Sequence, residues 1–293
     1  MPPPDGLIVV DKHAGPTSHD VVNRLRRLFA TKRVGHAGTL DPPATGILLV
    51  GLGRATRILP FLQVLPKTYR AVVVFGTTTS TQDATGTILE ERPCSFTADD
   101  LRAAAATMVG EISQIPPMVS AVRVGGERLY KAARRGEEVE RPARTVTVYG
   151  LDVTAFDGAA GQATLDVRCS SGTYVRTLAA DIGEMLGCGA HLKTLRRTAI
   201  GSLGESGAVT VAELDAMEPD QRQAAVLPMA AAMRDFESVT VSGEELHAVG
   251  HGRSLGEPDD SVGDPVAVVD PEGRLVAVYR RQGAGLRPAA VLL

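Results

Sequence analysis

This 293-residue chain holds little that could bind a metal or make a covalent cross-link. Its three cysteines, Cys94, Cys169 and Cys188, are odd in number and show no Cys-x-x-Cys pair. That pattern excludes a disulfide framework and a cysteine-based zinc site. The six histidines are read as giving no ligand pair on a helix either, so the expectation is a protein without metal, disulfide or redox cofactor. Long apolar runs are missing too. Runs such as GILLVGLG at 46–53 and AVVVF at 71–75 fall far short of the roughly 20 residues that cross a bilayer. The opening MPPPDGLIVVDK has no basic leader followed by an apolar stretch and a cleavage site, which predicts a cytoplasmic protein with no membrane association.

Neither sign of charge dominates, with 31 Lys and Arg against 34 Asp and Glu and a net charge of −3. The near-neutral total conceals a segregated distribution, and binding fields are local. Residues 1–80 hold 10 basic and 4 acidic side chains, whereas residues 205–275 hold 4 and 15. Two further stretches, 120–144 and 168–204, are also net positive. An anionic partner fits the first 204 residues. For a single cluster such as RLRRLF at 24–29, a merely solvated helix face is an equal alternative.

With 44% apolar residues and a soft prior of roughly 150 residues per domain, the chain can build a substantial core. GLIVVDK at 6–12 reads as a buried strand, followed by a basic amphipathic helix behind a Ser18 cap. Residues 68–79, 144–156 and 163–170 carry β-branched strand patterns. Residues 99–110 and 177–186 read as helices, and 204–235 as Ala-rich and helical. Short strands return at 265–270 and 274–281. The absence of regular βαβ alternation predicts an α+β fold rather than a doubly wound one, with a domain boundary near residue 235.

The most informative stretch is VGHAGTLDPPATG at 34–46. Its glycines, prolines and aspartate describe a rigid loop. It is not a nucleoside-triphosphate loop, and the neighbouring GLGRAT at 51–56 lacks the glycines and context of a dinucleotide fingerprint. Within it, residues 35–46 resemble the signature G-H-x-G-T-L-D-P-x-A-x-G of the TruB family of pseudouridine synthases. Five further blocks are similar to that family in the same order: KTYRA at 67–71, TTSTQDATG at 78–86, QIPPMVSAVRVGG at 114–126, CSSGTYVRTLAADIG at 169–183 and GAHLKTLRRT at 189–198. Two departures stand out. Val119 and Arg123 replace the family's Tyr and Lys in the Pro-Pro block, and Ser80 replaces the first Asp of T-D-T-x-D while Asp83 remains.

The resemblance implies an α+β catalytic domain with a central antiparallel sheet at 1–235 and a small β-rich, PUA-like domain at 236–293. It implies isomerisation of uridine 55 in the T loop of transfer RNA, a reaction that needs no cofactor. Asp41 matches the catalytic aspartate, Arg176 the arginine that pairs with it, and Tyr69 the residue that stacks on the uracil. His36 matches the histidine that inserts into the RNA loop, and Tyr174 and Leu195 match positions lining the pocket. Lys67 is expected to contact a phosphate or the Asp83 carboxylate. Arg24, Arg27, Lys32 and Arg33 are expected to bind the RNA backbone without reading sequence.

Two other classes meet the same residues less well. A non-catalytic RNA-binding or RNA-folding protein needs the basic face but not Asp41, Tyr69 and Arg176 together. A hydrolase of free nucleosides has no use for so much basic surface. Within the wider family, the lack of Lys-rich tails favours a stand-alone, monomeric enzyme over a guide-RNA-dependent one.

Overall fold

The computed structural model describes residues 4–118, 123–124, 127–128, 135, 137, 139–256, 263–283 and 285–293. By contacts the chain divides into two units, Met1–Leu65 with Ala199–Leu293, and Pro66–Thr198. Among the described residues no helix is long and apolar enough to cross a membrane.

The first unit opens with β1 (Gly6–Lys12), α1 (Ser18–Leu28), β2 (Val34–His36), β3 (Thr45–Leu52) and α2 (Leu59–Val64). β1 and β3 pair antiparallel along their full length, with Ile8 opposite Val50 and Val10 opposite Leu48. Side chains alternate across a strand, and here both faces are covered. Leu7, Val9, Ile47 and Leu49 enter one buried cluster, while Ile8, Val10, Leu48 and Val50 enter another with Val21, Val22 and Leu25 of α1. This two-sided burial is why the strands read as unbroken apolar runs rather than as alternation. α1 begins at Ser18 itself, so its cap lies one residue before the expected one. Thr17 caps it through a reciprocal box with Asp20, leaving the Ser18 hydroxyl for another task.

The second unit contains β4 (Lys67–Phe75), β5 (Thr77–Thr79), β6 (Ile88–Glu91), α3 (Ala98–Thr107), β7 (Gly110–Gln114), β8 (Arg123–Val124), β9 (Glu127–Arg128), β10 (Arg144–Asp157), β11 (Gln162–Cys169), α4 (Val175–Met185) and most of β12 (Ala190–Ile200). Its main sheet runs β12-β4-β11-β10-β7, with the β4, β11, β10 and β7 pairs antiparallel. Gly76, at φ +89°, separates β4 from β5, so the single strand expected over 68–79 becomes two. Ala71, Val73, Leu165 and Val167 pack with Leu178 and Ile182 of α4 and Leu101 of α3.

The chain then returns to the first unit with β13 (Leu203–Gly204), β14 (Val209–Thr210), α5 (Val211–Ala216), α6 (Pro219–Ala224) and α7 (Met229–Ala232). The expected helical stretch at 204–235 is thus three short helices. Pro219 starts the second, and Pro228 precedes the third, because proline suits a first turn but breaks a helix interior. A four-stranded sheet ends the chain: β15 (Ser238–Thr240), β16 (Val266–Val269), β17 (Leu275–Gln282) and β18 (Gly285–Val291), with α8 (Gly243–Gly250) after β15. His247 and His251, four residues apart on α8 and its cap, stack their rings at 4.4 Å. This is a helical pair that the sequence reading overlooked. Among the described residues no group of three or more His, Cys, Asp or Glu is arranged to hold a metal ion.

The final sheet shares its core with the start of the chain. Ala267, Leu275, Val278 and Leu292 lie in the same buried cluster as Leu7, Ile58, Phe61 and Leu62. Arg54 donates to the Leu292 carbonyl at 2.6 Å, and Arg57 donates to that of Val291. Deleting residues 236–293 therefore uncovers apolar surface that favours folding by roughly 25 cal/mol per Å². A thermal melt of the truncated chain should show its first unit unfolding at a lower temperature than in the full chain. An unchanged midpoint would show that the shared core contributes nothing.

Candidate active site

The Asp41 loop joins β2 to β3, and its shape follows from its residues. Asp41-Pro42-Pro43-Ala44 forms a turn closed by the Ala44 amide donating to the Asp41 carbonyl at 3.0 Å. Asp at the first position and Pro at the second suit such a turn. Gly38 and Gly46 both sit at φ +98°, a conformation that side chains with a Cβ rarely adopt.

The backbone on each side of Asp41 is held from β1 and α1. On one side, the Leu40 amide donates to Ser18 Oγ at 2.9 Å, and Ser18 Oγ donates to the Leu40 carbonyl at 3.2 Å. On the other, the Pro42 carbonyl accepts from Lys12 Nζ at 3.2 Å and from the Gly15 amide at 2.9 Å. Lys12 is only 1% exposed and also donates to the His13 carbonyl. Each buried hydrogen bond left unmade costs about 1–3 kcal/mol, so these contacts hold the aspartate's backbone in one place. Asp41 and His36 are both half-buried, and His36 ends β2 opposite Val50.

The second unit carries the other matched residues. Arg176, in the first turn of α4, is 5% exposed. Its Nη1 donates to the Thr81 carbonyl at 3.0 Å and to Asp83 Oδ2 at 3.3 Å. Asp83 Oδ1 accepts from Thr81 Oγ1 at 2.7 Å, from Thr85 Oγ1 at 2.5 Å and from the Thr85 amide at 3.0 Å. Burial pushes the Asp83 carboxyl upward, but the Thr85 and Thr81 hydrogen bonds and the Arg176 charge outweigh it and hold it below 3.8. The loop is tied to β12, where the Leu192 amide donates to the Gln82 carbonyl at 3.0 Å and the Ala84 amide to the Leu192 carbonyl at 2.9 Å.

Tyr69 lies on β4 opposite Val167. Like Leu195 of β12, it is half-buried against the core of its unit. Tyr174 precedes α4, and Gln114 fixes its backbone twice: the Tyr174 amide donates to Gln114 Oε1 at 3.0 Å, and Gln114 Nε2 donates to its carbonyl at 3.3 Å. Lys67 is buried beside Arg197 and Cys169. Burial, reinforced by the Arg197 charge, lowers its ammonium to about 8.

The basic residues of the first unit divide. Arg27, Lys32 and Arg33 are exposed. Arg24 instead grips Asp215 of α5 through both carboxylate oxygens, with Nε donating to Oδ2 at 3.0 Å. Val119 and the Arg123 side chain lie outside the described residues.

Sequence reasoning missed Lys12, Ser18 and Gln114 as positioning residues. The one available signal was for Lys12, a charged residue completing a strand whose two faces are both apolar.

Three family models cover nearly the whole chain. The TruB family pseudouridylate synthase N-terminal domain matches residues 26–175. The tRNA pseudouridylate synthase B C-terminal domain matches 176–234, and the tRNA pseudouridine synthase II C-terminal domain matches 236–293. Proteins named tRNA pseudouridine synthase B are similar along almost their full length. The one from Ralstonia nicotianae is 45% identical, covering 95% of this chain and 86% of its own. The one from Thermobifida fusca is 44% identical, covering 98% of each. Among solved structures, a Cbf5-Nop10-Gar1 complex contains a chain with a TM-score of 0.76 at 27% identity, covering 98% of this chain and 85% of that one.

Asp83 carries a direct test. A carboxyl lowered on folding stabilises the protein above its unfolded value, and that contribution is lost as pH falls through the folded value. Wild type should thus be more stable than Asp83→Asn near pH 6, and the advantage should shrink below about pH 4. An advantage unchanged down to pH 2 in denaturant titrations would show that the ionised carboxylate is not the stabilising form. The Asp41 loop, the buried Asp83–Arg176 pair and the matches along the chain lead to one conclusion: this chain belongs to the TruB family of pseudouridine synthases.

Proposed function

We propose that this protein isomerises uridine to pseudouridine in transfer RNA, at position 55 of the T loop, with Asp41 as the catalytic carboxylate. The observation that carries the reading is the Asp41 loop, whose backbone is fixed from both sides while the carboxylate stays half-buried. Its support in substrate terms is the likeness to proteins named tRNA pseudouridine synthase B.

The reaction breaks the N1–C1′ bond, turns the uracil and joins C5 to C1′. No electrons are exchanged with the surroundings and no group is imported, so a single well-placed carboxylate suffices. Two routes are open to Asp41. It attacks C1′ and forms a glycosyl ester, or it removes a sugar proton and leaves a glycal; both need the ionised form. Arg176 supplies a fixed positive charge that orients Asp41, and Asp83 holds Arg176 in turn. Tyr69 stacks on the uracil and takes the C5 proton once the new bond is made. A base inside a folded loop is reached by flipping it out. His36 fills the space beside it, and Tyr174 and Leu195 wall the pocket.

Arg27, Lys32 and Arg33 bind phosphates and make affinity salt-dependent. Arg24, committed to Asp215, fastens α1 to α5. We further propose that residues 236–293 act as a distinct RNA-contacting module through Arg280, Arg281 and Arg287, and that the enzyme works as a cytoplasmic monomer without a cofactor.

The test is to incubate the purified protein with unmodified transfer RNA carrying tritium at C5 of uridine, following tritium release and mapping the product. Pseudouridine at position 55 alone supports the reading. RNA binding with no release would support a non-catalytic RNA-binding protein, and turnover of free nucleoside would support a hydrolase or nucleoside enzyme. Arg176→Lys keeps the charge but loses the planar fork. Its turnover at saturating RNA should fall at least about 100-fold, roughly 2.7 kcal/mol, with binding changed far less. An unchanged rate constant would remove Arg176 from the mechanism.

A further inference from the structure

Two of the three cysteines, remote in sequence, meet in the second unit. Cys94 follows β6 and is exposed, whereas Cys188 is buried in the turn between α4 and β12. The Cys188 thiol has Cys94 as a hydrogen-bonding neighbour, and that neighbour disfavours the Cys188 thiolate. Both gather at Gly76: a Cβ placed there would come within 3.0 Å of Cys94 Sγ, and the Cys188 thiol interacts with the Gly76 backbone. The segments that carry them are already tied together. The Gly76 amide donates to the Gly189 carbonyl at 3.0 Å, the Arg92 amide donates to the Gly76 carbonyl at 2.8 Å, and the Arg92 guanidinium donates to Glu184 of α4 at 2.8 Å. Backbone hydrogen bonds thus hold the two cysteine-bearing segments together at Gly76.

The geometry points to Cys94 and Cys188 as a reversible dithiol–disulfide pair, a redox modification site outside the isomerisation chemistry. The oxidant class is a hydroperoxide. The exposed Cys94 thiolate attacks one peroxide oxygen, the O–O bond breaks, and the departing oxygen leaves as water after taking a proton. Cys94 becomes a sulfenic acid. The Cys188 sulfur then attacks the Cys94 sulfur, the S–O bond breaks, and the second oxygen leaves as water with the Cys188 proton. Two thiols lose two electrons and two protons in total, and one hydrogen peroxide becomes two waters.

The order of events follows from burial. Burial, then the neighbouring Cys94, raises the Cys188 thiol to about 11, so it resolves the sulfenic acid rather than starting the reaction. Cys169, buried on β11, has no part. Its own thiol is likewise raised to about 11 by burial.

The product would join the end of the β5–β6 hairpin, whose loop bears Asp83, to the turn leaving α4, which carries Arg176 in its first turn. Closing so long a loop restricts the unfolded chain most, so the disulfide stabilises the second unit.

The experiment treats the full-length protein with stoichiometric hydrogen peroxide, followed by intact mass measurement and non-reducing peptide mapping. The expected result is loss of two hydrogens, a Cys94–Cys188 linked peptide and full reversal by dithiothreitol. Cys94→Ser should abolish the linkage and Cys169→Ser should keep it; a thermal melt confirms that both variants are folded. Wild-type protein that gains oxygen at Cys94 without losing hydrogens would overturn the proposal, as would a Cys94–Cys94 link between two chains. The readout is mass rather than activity, so it stands apart from the isomerisation test.

Discussion

Arg176 is the side chain around which the second unit is organised. A guanidinium keeps its charge in a protein, and one that is 5% exposed must be given acceptors or the fold loses several kcal/mol. Asp83 and the Thr81 carbonyl supply them, and this explains why the loop leading to the exposed strand β6 carries a buried aspartate. Thr81 and Thr85 then hold Asp83, Thr177 donates to the Gln82 side chain at 3.0 Å, and Leu192 clasps the loop from β12. Removing the Asp83 carboxylate would take one charged acceptor from a buried guanidinium. The arrangement delivers a positive charge of fixed position, the property asked of a group that orients a catalytic carboxylate.

The first unit solves the complementary problem of holding an anion on a loop. Asp41 needs no element of its own, because Ser18 and Lys12 reach its neighbours' backbone from rigid elements. Backbone anchoring fixes the place of the carboxylate to which the proposed chemistry is assigned. It also makes the site sensitive to residues that never meet the RNA.

Much of this was legible in the sequence, and the boundary of legibility is physical. β1 was read with its observed ends, and the six motif blocks pointed to Asp41, Tyr69 and Arg176, because loop chemistry and short spacings are local. Ser18 was read as a helix cap since its position beside a helical pattern suits one; Thr17, one residue earlier, caps as well and completes the box with Asp20. The hydroxyl's real partner is a backbone group 22 residues away. Gln114 and Tyr174 are 60 apart and Arg24 and Asp215 are 191 apart, distances over which no periodicity carries information. Cys94 and Cys188 show the same limit. Their count and spacing rule out a disulfide framework, yet the fold brings them together.

The central claim is that one carboxylate, on a loop fixed by its backbone, performs the isomerisation. Asp41→Asn preserves the size and leaves Ser18, Lys12 and Gly15 to hold the loop, so it removes charge alone. The decisive measurement is single-turnover isomerisation of a T-arm hairpin by this variant, alongside its affinity for the same RNA. The account predicts affinity within about tenfold of wild type, roughly 1.4 kcal/mol, with no detectable pseudouridine. Turnover above a few per cent of the wild-type rate, at full occupancy, would contradict it.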